Sequence, residues 1–245
     1  MAKAAAAEQL RLLELQALDA KIKQLDHRTR TLRQDPRLSD LQAGLSVANS
    51  DLVVLNTEVA DVQRQLSRAE ADVEQVATRI ARDEAKLNSG SGLSKDLMAL
   101  QNDLASLAKR RSSLEDTELE VMERLEAATA KAAKQQGVVD DIKGSLDGIR
   151  AELDGQLVEV AAEREATVGD RGELAGSFDP ALLAVYERTL TKRGVGAARL
   201  FHGTSEGSGM QLSPGDLADI RKAADDDIVF CPDSGAILVR NPEWT

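Results

Sequence analysis

The sequence predicts a mostly α-helical protein, with a long antiparallel coiled-coil hairpin over residues 1–177 and a small α+β module over residues 178–245. All five aromatic residues lie at or after Phe178, although a globular core normally takes much of its buried area from aromatic side chains. Residues 1–177 are rich in Ala, Leu, Val, Glu, Asp, Arg and Gln, and their apolar residues recur at steps of three and four. This pattern is typical of a coiled coil.

Three tracts with a seven-residue apolar repeat predict helices at about residues 3–34, 38–88 and 93–172. The first tract ends at Asp35-Pro36, because a proline inside a helix removes a backbone hydrogen bond. In the second tract thirteen of fourteen seam positions are apolar, and in the third tract sixteen of twenty are. The second seam consists of Leu41, Leu45, Ala48, Leu52, Leu55, Val59, Val62, Leu66, Ala69, Val73, Val76, Ile80, Asp83 and Leu87.

The short segment 88–92, Asn-Ser-Gly-Ser-Gly, predicts a tight turn between the second and third helices. A turn this short requires the two helices to pack antiparallel. The first helix leaves two alternatives, since it either extends a two-stranded rod or folds back to form a three-helix bundle. The apolar seam is a narrow stripe, whereas a three-helix core prefers a wider apolar face. The pattern therefore favours the two-stranded rod.

Polar and flexible residues interrupt the third seam. Arg111, Glu118 and Gln135 occupy seam positions, and the glycines at 137, 144, 148 and 155 lie inside the same predicted helix. Each glycine costs about 1 kcal/mol of helix stability relative to alanine. The stretch from 111 to 156 is therefore either a soft region where the helix bends or a region whose polar residues fix the register.

The sequence of residues 178–245 predicts a module of short helices, with N-caps, and short strands. Asp179-Pro180 and Ser213-Pro214 each combine a favourable N-cap residue with proline at the first helical position. Modules of this size have a thin core and usually need a staple, often a metal ion. The predicted strands lie within residues 198–212, 228–230 and 236–239.

Charge and composition exclude several functional classes. The net charge is −11, of which residues 1–177 carry −8 and residues 178–245 carry −3. Neither part has the basic excess that favours nucleic acid or an anionic membrane. The sequence has neither a long apolar run for a membrane span nor the apolar region of a signal peptide, so we expect a cytoplasmic protein. Cys231 is the single cysteine, which excludes an internal disulfide.

Four segments resemble a known bacterial family that combines a coiled-coil hairpin with a C-terminal C4-type zinc ribbon. The resemblance covers nearly the whole chain, is specific in the last 70 residues, and implies a zinc-ribbon-like fold for the C-terminal module. The segments are Leu12-Leu-Glu-Leu15-Gln-Ala-Leu-Asp19, Ser113-Leu-Glu-Asp116 with Val121-Met-Glu-Arg124, Phe178-Asp-Pro-Ala-Leu-Leu-Ala-Val-Tyr186-Glu-Arg188, and Ile228-Val-Phe-Cys231-Pro-Asp-Ser-Gly235-Ala-Ile-Leu238.

The resemblance implies two Cys-x-x-Cys knuckles, and the corresponding positions in this chain are Ser205, Ser208, Cys231 and Ser234, called here the knuckle positions. The chain is therefore identified as a mycobacterial-type member of the family in which three of the four knuckle cysteines are replaced by serine. A serine hydroxyl stays protonated at neutral pH and is a poor ligand for zinc, which selects thiolate and imidazole. We therefore expect a metal-free ribbon whose turns are held by local hydrogen bonds.

A zinc site assembled from other residues is the alternative. His202 lies three residues before the first knuckle position, and Cys231 and Asp233 belong to the second knuckle. These three residues could supply imidazole, thiolate and carboxylate ligands. The ordinary interpretation is that His202 is a surface or turn residue and Cys231 a small buried apolar residue.

No catalytic constellation is visible in the sequence, so we do not expect an enzyme. The first hypothesis is an interaction scaffold or adaptor with regulatory roles, in which the rod presents the ribbon-like module to protein partners; a homodimer stays open. The family resemblance implies such adaptor or regulatory roles with protein partners, and in some members with RNA. The second hypothesis is RNA or DNA binding through the ribbon-like module, as in other zinc ribbons. A basic face for that role consists of Arg188, Lys192, Arg193, Arg199, Arg221, Lys222 and Arg240.

Overall fold

The computed structural model describes residues 3–90 and 93–240 of the chain. Three long helices dominate it: α1 at Ala6–Arg33, α2 at Pro36–Asn88 and α3 at Ser94–Gly176. The break between α1 and α2 lies at the predicted Asp35-Pro36. The mostly helical hairpin with a small C-terminal module is therefore confirmed. Of the predicted turn 88–92, positions 91 and 92 lie outside the described residues, and Gly90 has a left-handed backbone with φ of +63°.

The heptad seam predicted for α2 is the face that the structure buries. All fourteen seam positions are buried or half-buried. Val62 and Leu66 pack against Val121 and Leu125 of α3, while earlier on α2 the carbonyl of Ala48 accepts a hydrogen bond of 3.0 Å from the amide of a later α3 residue, Gln135. Positions that rise along α2 therefore meet positions that fall along α3, and this coil is antiparallel and two-stranded.

The helix α1 forms a second two-stranded coil with the last part of α3. Asp26 accepts a 2.6 Å bond from Arg164, and Lys21 lies 2.9 Å from Glu163. Leu25 is buried on α1 near these pairs, and Leu12 and Leu15 share a core with Ala175 at the end of α3. Within its own compact unit this coil is two-stranded, as the narrow seam predicts.

The C-terminal module carries the predicted caps. Asp179 accepts hydrogen bonds from the backbone N–H groups of Ala181 and Leu182, and Ser213 accepts one from Asp216. These residues open the helices α4 at Pro180–Arg193 and α5 at Pro214–Lys222. The strands are β1 at Ala197–Phe201, β2 at Thr204–Ser205, β3 at Met210–Gln211, β4 at Val229–Phe230 and β5 at Ile237–Arg240.

The five strands form one sheet in the order β3-β2-β1-β5-β4. The central pair β1 and β5 is parallel, and the other pairs are antiparallel. Side chains alternate between the two faces of a strand, so Ile237 and Val239 face one core while Leu238 faces the other. The first core contains Leu12 and Leu15 of α1 with α4. The second core consists of Leu200, Leu212, Ile220, Cys231 and Leu238.

The described chain divides into two compact units. One unit is Pro36–Ala151, and the other joins the described residues up to Asp35 with those from Glu152 onward. The boundary predicted after residue 177 therefore lies inside a single unit, because α1 contributes to the core of the C-terminal module. Across residues 3–90 and 93–240, no helix has both the length and the apolar character that crossing a bilayer requires.

Candidate functional site

The first pair of knuckle positions lies in a turn closed by the backbone. Ser205 is the last residue of β2, and its carbonyl accepts hydrogen bonds from the N–H groups of Ser208, at 3.3 Å, and Gly209, at 2.8 Å. Gly209 has a φ of +69°, a conformation that glycine adopts without steric cost. The turn is therefore closed by backbone hydrogen bonds, and the Ser208 hydroxyl adds one more by accepting from the N–H of Met210 at 3.3 Å.

The second pair lies in a turn of the same kind. The carbonyl of Cys231 accepts a 2.8 Å bond from the N–H of Gly235, whose φ is +72°. The N–H of Ser234 points at the Cys231 sulfur from 3.4 Å, and the Ser234 hydroxyl accepts a 3.3 Å bond from Ala236. Both knuckle turns thus run from the first knuckle position to a left-handed glycine four residues later.

The three knuckle serines lie around the sulfur of the fourth knuckle residue, Cys231. The thiol donates to the Ser208 hydroxyl across 3.9 Å. Burial raises the pKa of this thiol, but the neighbouring hydroxyls of Ser205 and Ser234 and nearby backbone N–H groups outweigh burial, so that the net pKa is lowered. Ser205 is fully buried, and its hydroxyl has no hydrogen-bond partner of normal geometry among the described residues.

This arrangement does not fit a zinc ion. Zinc in proteins is held by thiolates, imidazoles and carboxylates, and one thiol with three hydroxyls supplies a single such ligand. In the part of the chain that the structure describes, no three His, Cys, Asp or Glu side chains come close enough to hold a metal ion. The alternative set of His202, Cys231 and Asp233 is therefore not brought together. His202 lies in the turn after β1 with φ of +45°, and Asp233 is exposed.

A polar network joins the module to α1 in the same compact unit. Gln16 accepts hydrogen bonds from the N–H groups of Gly196, at 2.6 Å, and Ala197, at 3.2 Å. The Tyr186 hydroxyl donates to Asp19 across 2.7 Å. Gln16, Asp19, Arg171 and Tyr186 are called here the docking network. Two of them belong to α1, one to α3 and one to α4.

Burial of the docking network fixes the position of the module on α1. Tyr186 is fully buried, and burial together with the hydrogen bond to Asp19 raises its pKa far above the ordinary value. Asp19 also accepts a 3.0 Å bond from Arg171, which contacts Glu187 in addition. Gly196 lies so close to the Tyr186 ring that an added Cβ would come within 2.4 Å of it. Only glycine fits there.

The start of the described chain is attached to the segment between α5 and β4. Lys3 pairs with Asp226 at 2.9 Å, and the N–H of Ala4 donates to the Asp226 carbonyl across 2.9 Å. The Gln9 amide donates to the carbonyls of Ala4 and Asp225. The module is consequently held on α1 at two places.

The residues of the predicted basic face lie on several elements. Arg188, Lys192 and Arg193 belong to α4, Arg199 to β1, Arg221 and Lys222 to α5, and Arg240 to β5. The side chains of Arg199, Lys222 and Arg240 are among those that make contacts within the module. Arg199 pairs with Glu206 at 2.5 Å, Lys222 pairs with Asp219 at 3.0 Å, and Arg240 donates to backbone carbonyls around the end of α5.

The docking network cannot be recognised as a site from chemical motifs in the sequence. Its residues carry no motif, because Gln16 and Asp19 look like ordinary coiled-coil flank residues. The available signal was the pair of segments that carry the family resemblance, Leu12–Asp19 and Phe178–Arg188. These are the two segments that meet in the structure.

Comparison with known proteins gives two family matches. Residues 15–194 match the CT398-like coiled coil hairpin domain, and residues 204–238 match the C4-type zinc ribbon domain. The uncharacterised protein Rv2229c of Mycobacterium tuberculosis is 36% identical over 238 residues, or 97% of each chain. The uncharacterised protein ML1638 of Mycobacterium leprae is 28% identical over 220 residues, or 90% of this chain and 95% of that protein.

Two solved structures have a similar fold. A Mycobacterium smegmatis protein superposes with a TM-score of 0.81 and 31% identity, covering 97% of this chain and all of the other. CT398 from Chlamydia trachomatis gives a TM-score of 0.59 at 20% identity, covering 95% of this chain and 97% of the other, and this likeness concerns the fold alone. The predicted resemblance to a coiled-coil and zinc-ribbon family of mycobacterial type is confirmed.

Proposed function

Because this chain belongs to the CT398-like coiled-coil hairpin family, we propose that it is a non-enzymatic interaction scaffold whose coiled coil presents the ribbon-like module to protein partners. The observation that carries the proposal is the docking network. It joins the module to α1 and α3 through buried hydrogen bonds, such as the 2.7 Å bond between Tyr186 and Asp19. A partner held by the module is therefore held rigidly by that end of the coil.

Exposed apolar side chains on the module support a protein partner. The sheet has two edge strands, β3 and β4. Met210 on β3 is 58% exposed and Phe230 on β4 is 45% exposed. Edge strands offer free backbone groups, and aromatic and methionine side chains are enriched in protein interfaces. These edges suit an extended segment of another protein.

A second apolar surface lies on the coil of the other unit. Leu119 and Met122 of α3 are 58% and 47% exposed, and they line a groove of about 630 Å³ with Leu66, Ala130 and Ala133. Contiguous exposed apolar surface marks interaction sites more often than scattered apolar residues do. This groove supports a scaffold that engages partners along its length, and a second copy of this chain is one candidate.

The experiment is a pull-down from the lysate of the source organism, with the full chain as bait. We expect a specific set of proteins that is lost with Phe230→Asp or Met210→Asp. Val158→Asp is the matched control, because Val158 is an apolar residue of α3 that is 70% exposed and far from the sheet edges in sequence. If both edge variants capture the same proteins as the wild type, the module edges are not the partner surface.

Nucleic-acid binding through the module is the alternative function, and it can be tested with the same protein. The Arg240 side chain weighs against it, because its guanidinium already donates to several backbone carbonyls around the end of α5. A gel-shift titration with RNA and DNA at rising salt separates the two functions. Binding that weakens steeply with salt, as counterion release requires, would favour the alternative.

A further inference from the structure

We propose that the ribbon of this chain folds without zinc, because α1 and the hydrogen-bonded knuckle turns together supply the stabilisation that the metal supplies in a C4 ribbon. The inference departs from the C4-type zinc ribbon domain that residues 204–238 match. It does not depend on the proposed scaffold function. The argument has three parts, which concern the turns, the core around Cys231 and the attachment of α1.

The knuckle turns are complete without a metal ion. The carbonyls of Ser205 and Cys231 each accept a 2.8 Å hydrogen bond from a left-handed glycine, Gly209 and Gly235 respectively. The serine hydroxyls add local bonds, since Ser208 accepts from Met210 and Ser234 from Ala236. Hydroxyl side chains are suited to such turns, whereas thiolates brought together without a metal would repel one another.

Cys231 is also buried against apolar side chains. Cys231 is only 2% exposed and packs in the second core, with Leu200, Leu212, Ile220 and Leu238. A buried neutral cysteine behaves as a small apolar residue. This knuckle residue therefore stabilises the module by burial.

The additional stabilisation that a small module requires comes from α1. Leu12 and Leu15 are fully buried in the core under the sheet. Gln16 caps the N–H groups of Gly196 and Ala197 at the start of β1. A module with so thin a core usually needs a metal or a disulfide, and here a helix from the other end of the sequence takes that role.

Because the backbone of both knuckle turns is retained, restoring the three missing cysteines tests the proposal. The full chain is expressed as wild type, as the triple variant Ser205→Cys, Ser208→Cys, Ser234→Cys, and as the matched control Ser205→Ala, Ser208→Ala, Ser234→Ala. Each is kept reduced and purified with and without added zinc. Bound zinc is measured by elemental analysis, and the melting temperature is measured with and without EDTA.

We expect no stoichiometric zinc in the wild type and the alanine control, and a wild-type melting temperature that EDTA does not change. We expect about one zinc per chain in the cysteine variant, as four thiolates in tetrahedral arrangement bind it, with a melting temperature that EDTA lowers. Stoichiometric zinc in the wild type would overturn the proposal. A cysteine variant whose module is folded, as shown by protection of the buried Tyr186 from ionisation at alkaline pH, but which fails to bind zinc would overturn the claim that the turns keep the knuckle geometry.

Discussion

Replacing Tyr186 by phenylalanine removes one hydrogen bond from the docking network and leaves the ring in place. The lost bond joins the phenol to the Asp19 carboxylate at 2.7 Å, and a hydrogen bond to a charged group contributes about 1.5–3 kcal/mol. Asp19 keeps its 3.0 Å bond to Arg171, so the carboxylate is not left unpaired. We therefore expect Tyr186→Phe to lower the free energy of unfolding at neutral pH by an amount near the lower end, about 1.5 kcal/mol.

The effect of this substitution depends on pH in a defined direction. Burial and Asp19 raise the pKa of Tyr186 in the folded protein, whereas in the unfolded chain the phenol ionises at about pH 10. The stabilisation is fully present below the unfolded pKa and is lost as the pH rises above it, by about 1.4 kcal/mol per pH unit. The phenylalanine variant lacks this loss. At about pH 11 the two proteins should therefore differ little in stability.

The assay uses the fact that the chain has a single tyrosine. Urea unfolding followed by circular dichroism at neutral and alkaline pH gives the stability difference, and tyrosinate absorbance of the native protein reports Tyr186 alone. The same absorbance in urea gives the unfolded reference. Native tyrosinate forming with an ordinary pKa, or a variant as stable as the wild type at neutral pH, would refute the interpretation of the docking network.

Three further substitutions test other parts of the structure. Gly196→Ala should destabilise the protein by about 1–3 kcal/mol, because the added methyl group meets the buried Tyr186 ring. The control Gly155→Ala, with open space around its Cβ, should stabilise the protein by about 1 kcal/mol. Equal effects of the two substitutions in urea unfolding would contradict the close approach of Gly196 to the Tyr186 ring. Gln135→Ala should destabilise by about 1 kcal/mol, since it removes a hydrogen bond between α3 and α2, and an unchanged midpoint would mean that the bond is not formed in solution. Ser205→Ala should leave the melting temperature unchanged or raise it, since its buried hydroxyl has no partner of normal geometry, and a clear loss of stability would indicate a bond to the Cys231 sulfur.

The helices could be predicted from sequence because their information is local. A seven-residue repeat identifies the buried stripe whatever the partner is, and the fourteen seam positions of α2 are all covered. The caps at Asp179 and Ser213 depend on residues within one turn of the chain. The polar seam residue Gln135 makes a hydrogen bond to α2, which agrees with the alternative in which such residues fix the register.

The candidate site depends on contacts that no local pattern encodes. The parallel pairing of β1 with β5 joins Ala197 to Ile237, and the docking network joins Gln16 to Gly196. Such pairings cross large stretches of sequence, and a single sequence carries no signal for which flank residue of a coil faces a later module. The knuckle turns were more accessible, because glycine and serine at fixed offsets indicate a turn wherever they occur.

The covering of α1 by strand β5 has a consequence for biosynthesis. Leu12 and Leu15 share a core with Ile237 and Val239, so a ribosome makes the two leucines long before the strand that helps to cover them. At a synthesis rate of about 5–20 residues per second, the interval is roughly 10–45 s. Until β5 is made, the core over Leu12 and Leu15 stays incomplete, and its uncovered part is open to chaperones and to neighbouring nascent chains. The module can become native only after β5 has left the exit tunnel.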